Sequence, residues 1–211
     1  MGFNAELNAL QKEVTRQRIL EAGFRLFAEK GIDKVTMTDV AQEAGIGVAT
    51  VYRYYSTKAA LATGISARTW EQFAIPVIRE AERRSMTAAE EFSYFLDSFL
   101  DLYRKRKDLL RYNQFFNNYI QHEQSTAEAM QPFNDVMTQV AGRFHVMYEK
   151  GRRDGTLRTD VPENEMFFAS LHLMLAAVAR YAAGLVYDGG LDIEKELILQ
   201  KNMLLREFTQ I

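Results

Sequence analysis

From Thr15 to Phe208 apolar side chains return at the three- and four-residue spacing of an α-helix, with only Pro76, Pro132 and Pro162 as helix breakers. No stretch shows the strict alternation of a half-buried strand, so the chain is constrained to an all-α fold. With 47% hydrophobic residues among 211, there is enough apolar surface for a substantial core, which excludes a disordered polar tail. The absence of cysteine removes disulfides, thiolate metal sites and cysteine nucleophiles.

The first periodic segment, Thr15 to Lys30, carries a stripe of Ile19, Ala22, Gly23, Leu26 and Phe27 and ends at Gly31, as expected of a helix C-terminus. Two short helices follow. Thr38 is expected to cap one that ends at Ala44, with Val40, Ala41 and Ala44 turned inward; Gly45 breaks it. The other spans Val48 to Tyr54 and is anchored by Val51. Two short helices around a glycine turn are the helix-turn-helix arrangement, in which small residues such as Ala41 and Ala44 allow close packing. Ser56 is expected to open a longer helix through Ala74. Beyond it lie aromatic-rich helices near Ala88–Lys105, Lys107–His122, Thr126–Gly151, Glu163–Tyr187 and Asp192–Phe208, separated by Gly151 and Gly155, Pro162 and the Asp188-Gly189-Gly190 triplet. These suggest a DNA-binding domain over residues 1–62 (motif about 36–55) and a helical bundle over 63–211.

In order, Ile19-Leu20-Glu21-Ala22, Leu26-Phe27, Gly31, Thr36-Met37-Thr38-Asp39-Val40-Ala41, Ala44-Gly45-Ile46-Gly47, Thr50-Val51-Tyr52-Arg53-Tyr54-Tyr55 and Lys58-Ala59-Ala60-Leu61 make Thr15 to Gly64 resemble the DNA-binding region of the TetR family of repressors. The resemblance covers about a quarter of the chain. It implies that Val48 to Tyr54 enters the major groove. Gly47, Val48 and Ala49 are small enough for close approach. Thr50 is suited to a phosphate or a thymine methyl, and Arg53 to a guanine or a phosphate. Tyr52 and Tyr54 would reach backbone oxygens, Thr36 and Thr38 would hold a phosphate at a helix N-terminus, and Lys58 would pair with the phosphate backbone. Where the family usually has a core phenylalanine this chain has Tyr55, whose hydroxyl needs a partner. A net charge of −2 argues mildly against DNA binding, although Gly45 to Lys58 contains Arg53, Lys58 and no acid.

In the C-terminal part, Trp70, Phe95, Phe99, Tyr103, Phe116, Tyr119, Phe144, Met147, Tyr148 and His172 are candidates to line a pocket for a largely apolar small molecule; packed core is the competing reading. Ala176, Val178, Ala179, Ala183, Leu197, Leu204 and Phe208 are expected at a homodimer interface of the last two helices, where the resemblance also puts it. His122, His145 and His172 lack metal-ligand spacing, and no nucleophile elbow or phosphate loop occurs, so neither catalysis, metal nor cofactor is expected. The polar start, Met1 to Val14, is unlike a signal peptide, Glu6 spoils a myristoylation pattern, and the longest apolar run, Leu173 to Ala179, is too short to span a bilayer. The expectation is a cytoplasmic dimeric repressor that leaves a palindromic operator when a small molecule binds. A DNA-binding protein without effector and a ligand-binding helical bundle are the alternatives.

Overall fold

The computed structural model describes residues 2–123, 127–185 and 192–210. Among them are nine helices: α1 Gly2–Lys30, α2 Met37–Ala44, α3 Val48–Tyr54, α4 Lys58–Arg83, α5 Ala88–Lys105, α6 Lys107–Glu123, α7 Ala127–Asp154, α8 Glu163–Ala182 and α9 Ile193–Phe208. An isolated bridge between Leu157 and Thr209 is the extended pairing among the described residues. None of these helices is long and apolar enough to cross a membrane. Thr126, Tyr187 and the Asp188-Gly189-Gly190 triplet lie outside the described residues.

Several boundaries differ from expectation. α1 begins at Gly2, thirteen residues before the expected start at Thr15, because a helix can continue where burial stops. α4 runs through Pro76 instead of ending at Ala74; α7, which carries Pro132 internally as expected, continues past Gly151 to Asp154, and α8 ends at Ala182. Both prolines are exposed, so the carbonyls deprived of a helical donor face water. Only Pro162 marks an end, as the residue before α8.

The described chain forms two compact units, residues 1–69 with 112–134, and 70–111 with 135–211. In the first, Ile19, Ala22 and Phe27 of α1, Val40 of α2, Val51 of α3, and Leu61, Ala62 and Ile65 of α4 are almost wholly buried. A β-carbon on Gly23 would stand 2.7 Å from the tip of the Ile65 side chain, so α1 and α4 pack closely there and a larger residue would make Ile65 shift. Aromatic residues of α6 complete this core. The Tyr112 ring lies 5.4 Å from Phe24 and 6.0 Å from Phe116, which meets Phe133 at 5.6 Å. The Tyr112 hydroxyl donates to Ala62 O at 2.5 Å, and burial raises its pKa well above the usual tyrosine value, so it stays a donor.

The second unit is built around α5. Phe92, Phe95 and Phe99 of α5 meet Phe144 of α7, Phe167 of α8 and Phe208 of α9, with ring centroids 5.0–6.5 Å apart. These tilted and edge-on pairs are the arrangements aromatic quadrupoles favour. At the α5 N-terminus the backbone donors all find acceptors: Ala88 N bonds Asp154, Ala89 N bonds Thr156, Glu90 N bonds the Thr87 side chain and Glu91 N bonds Thr87 O. One turn in, Glu91 is buried and bonds Arg143 at 2.5 Å and Lys150 at 2.6 Å. Lys150 also donates to Met86 O.

Glu91→Gln leaves two cations facing a neutral amide. Removing one partner of a buried ion pair costs about 3–5 kcal/mol; since Lys150 keeps some water, we expect the lower part of that range. Urea unfolding followed by helix content measures it, and an unchanged midpoint would remove the ion cluster from the account of stability.

Candidate nucleic-acid interface

Six residues, 31–36, join α1 to α2, and their end sets where α2 begins. Thr36, not Thr38, is the cap. Its hydroxyl accepts from Asp39 N at 3.1 Å, while the Asp39 carboxylate accepts from Thr36 N at 2.8 Å, a reciprocal capping box. The register follows from burial: starting at Met37 turns Met37, Val40, Ala41 and Ala44 inward together. Thr36 also donates its hydroxyl to Asp39, and the bond from Thr36 N, then this hydroxyl bond, holds the Asp39 carboxyl below its usual pKa. An ionised carboxylate therefore stands at the helix end where Thr36 and Thr38 were expected to receive a phosphate. The first amides of α2, on Met37 and Thr38, remain as donors there.

The turn after α2 is closed twice. Gly45 adopts φ 65°, its N–H reaches Gln42 O at 3.1 Å, and Ile46 N reaches Ala41 O at 3.0 Å, a Schellman closure. Arg18 of α1 donates to Ala44 O at 2.6 Å, tying the turn to the first helix. Gly47 then starts α3 from an extended conformation, and Val51, wholly buried, pins it. Around that pin, Gly47, Val48, Ala49, Tyr52 and Arg53 are exposed and Thr50 and Tyr54 half-buried, so α3 presents one continuous outer face. The Arg53 guanidinium lies 5.9 Å from the Tyr54 ring centroid. Tyr55 is buried, and its hydroxyl finds Arg16 Nε at 3.2 Å, which meets the need the sequence raised.

Lys58 turns its ammonium onto the α1–α2 linker, donating to Ile32 O at 2.9 Å and Val35 O at 3.2 Å, with Asp33 O at 3.4 Å. The Tyr119 ring of α6 covers it, 5.3 Å away. These three carbonyls lie outside the helices, and a lysine with three protons can bond them, Ile32 O accepting also from Val35 N at 3.3 Å. Arg16, Arg18 and Asp39 were absent from the sequence-derived site, and Tyr119 stood among the pocket candidates; the Thr36–Asp39 capping spacing was a readable sign for Asp39.

The pocket candidates are divided between the two units. Phe95, Phe99 and Phe144 stack into the core of the second unit, where Trp70 and Met147 are also buried. The Tyr148 hydroxyl holds Val161 O at 2.6 Å, Tyr103 lies under Lys107, and His172 is exposed against Phe168. Phe116 and Tyr119 belong to the first unit. Of the interface candidates, Val178, Leu197, Leu204 and Phe208 are buried inside their own unit because they face its core; Ala176 is exposed and Ala179 and Ala183 half-buried. The outward apolar residues of α8 and α9 are instead Phe168, Leu173, Ile198, Leu199 and Met203. Among the described residues, no three His, Asp or Glu side chains cluster as a metal site.

Comparison with known proteins agrees with this geometry. Residues 19–65 match the model of bacterial regulatory proteins, tetR family. The chain is 31% identical over 110 residues to the HTH-type transcriptional regulators SAB2452 and SAUSA300_2515 of two Staphylococcus aureus strains, bovine RF122 / ET3-1 and USA300. That match covers 52% of this chain and 59% of each relative, so the chain spans about three-fifths of the length of the curated relatives it matches. In structure it resembles a putative regulator from Saccharomonospora viridis in complex with choline (TM-score 0.74, 18% identity, 94% of this chain and 100% of that one). It also resembles the regulator FadR from Bacillus subtilis in complex with stearoyl-CoA (0.71, 17%, 90% and 97%). The fatty acid degradation regulator FadR from Bacillus halodurans is a third (0.71, 15%, 90% and 94%). At such identities these likenesses show a shared fold. The all-α architecture and the family resemblance of the N-terminal region are both borne out.

Gly45→Ala puts a β-carbon at positive φ and 3.1 Å from the Arg18 guanidinium, whereas Gly47→Ala meets nothing within 4 Å at φ −71°. The first should cost about 1–2 kcal/mol and weaken DNA binding; the second should leave stability within about 0.5 kcal/mol. Equal unfolding midpoints for the two variants would contradict the turn geometry.

Proposed function

We propose that this chain, whose DNA-binding region is of the tetR family, is a dimeric transcriptional repressor that leaves its operator when a small molecule binds. The observation that carries the reading is the outer face of α3, presented by a buried Val51 and a doubly closed turn. A helix so pinned has the size and exposure to enter a major groove. Gly47, Val48 and Ala49 allow close approach, Thr50, Tyr52 and Tyr54 supply hydroxyls, and Arg53 supplies the forked donor that reads guanine. Thr38 and the first amides of α2 meet a backbone phosphate, with Thr36 and Asp39 fixing their position. Lys58 acts indirectly, by holding the linker that places α2.

Residues 1–62 serve as the DNA-binding domain in this proposal and 63–211 bind effector and pair subunits. Two chains pair through the apolar outer face of α8 and α9, so twofold symmetry in the protein is matched by a palindrome in the operator. The effector acts through α6. Tyr112 and Tyr119 hold Ala62 O and cover Lys58 respectively, so a ligand that favours another α6 position loosens α2 and α3. It shifts the equilibrium only by binding that state more tightly. The solved relatives carry ligands as unlike as choline and stearoyl-CoA, so the effector is left as a small molecule of unassigned class. Such a regulator works in the cytoplasm, where bacterial DNA is.

The test is selection from a random duplex pool at moderate salt with competitor DNA. A palindromic consensus is expected, and Arg53→Ala should relax preference at one base pair of each half-site by about 1–3 kcal/mol. Recovery of unrelated sequences with only salt-sensitive binding would contradict the proposal.

A further inference from the structure

α1 is far longer than its core requires. From residue 6 to residue 14 every side chain is exposed, and burial begins only at Ile19. The arm from Gly2 to Val14 therefore projects about 20 Å at 1.5 Å per residue. As the exposed end of a longer helix it is held mainly by its own backbone hydrogen bonds rather than by packing. Yet it is not polar all round: Leu7, Leu10 and Val14 are 44%, 63% and 48% exposed, and they lie on one face. In the sequence Phe3, Leu7, Leu10 and Val14 are separated by four, three and four residues, the spacing of a two-helix seam.

We propose that this arm pairs with the same arm of a second copy of the chain, in parallel, as a contact distinct from the α8–α9 face. The flanks of the stripe choose the occupant. One flank carries Glu6 and Glu13, the other Gln11 and Arg18. A parallel pair sets Glu13 against the second copy's Arg18, whose guanidinium uses one nitrogen on Ala44 O and keeps other donors. An antiparallel pair would set Glu6 and Glu13 against each other. DNA is a poor occupant, because Glu6, Lys12 and Glu13 sum to −1 over the exposed arm. Two heptads are too short to hold dissolved chains together at low concentration. Pairing becomes effective when two copies are already neighbours, as in the dimer proposed above through α8 and α9.

The chain has no cysteine, so Leu7→Cys introduces a single thiol on the stripe and Lys12→Cys a single thiol on the opposite face. In the full chain, in glutathione buffers and without DNA, the Leu7→Cys disulfide between chains should form at an effective concentration at least tenfold above that for Lys12→Cys. Adding Leu10→Asp should erase the difference without moving the unfolding midpoint, since the Leu10 side chain is largely in water. Equal values for the two thiols would overturn the pairing. Faster cross-linking between Leu7→Cys and Val14→Cys chains than within either would overturn the parallel register. Protection of the Leu7→Cys thiol by duplex DNA, with no cross-linking, would give the arm to DNA instead. Because cross-linking is read without DNA, it stands or falls separately from the proposed operator binding.

Discussion

The Ile32, Asp33 and Val35 carbonyls of the α1–α2 linker lie outside the helical ladders, and the Lys58 ammonium reaches all three. A charge-assisted donor shared among Ile32, Asp33 and Val35 carbonyls fixes the path of the linker, hence the place of Thr36 and the start of α2. From there the geometry is passed on by short closures. The capping box begins α2, Gly45 and Ile46 end it, Arg18 holds its last carbonyl, and Val51 seats α3. No step in this series relies on a long-range charge. That is how a chain of net charge −2 can present a helix to a polyanion.

Lys58 is also where the helix-turn-helix meets α6. Tyr119 covers the ammonium, and about two turns earlier Tyr112 grips Ala62 O. The aromatic row of α6 thus touches α4 at both ends of the segment that holds the linker. The second unit is of another kind. Its aromatic rings fill their own core, and its buried Glu91 knits α5 to α7. It is a firm body that turns an apolar face of α8 and α9 outward.

Local chemistry was legible where a few adjacent residues decide the outcome. Gly45, Val51 and the span Val48 to Tyr54 were placed correctly, because a left-handed turn, an inward valine and a short apolar period are all read within a dozen residues. The α2 cap was displaced from Thr36 to Thr38 because two threonines compete; the Asp39 carboxylate, three residues after Thr36, decides between them. Pro76 misled because the lost hydrogen bond is cheap at a wet surface. Periodicity showed that Phe95, Phe99 and Phe144 point inward, but it holds no information on whether an aromatic ring meets a ligand or another ring. In the same way it marked Val178 and Leu197 as apolar without saying which of two surfaces they face. The role of Lys58 was out of reach, since its acceptors lie 23 to 26 residues earlier in the chain.

The most direct measurement is a double-mutant cycle on operator affinity, Lys58→Met with Tyr119→Leu, each affinity taken across a range of salt. If Lys58 holds the linker beneath Tyr119, each change weakens binding, the two losses fail to add by about 1 kcal/mol, and the salt slope stays where it was. Additive losses, with a salt slope lower by about one for Lys58→Met alone, would mean that the lysine binds a phosphate directly and that α6 has no hold on the DNA-binding helices.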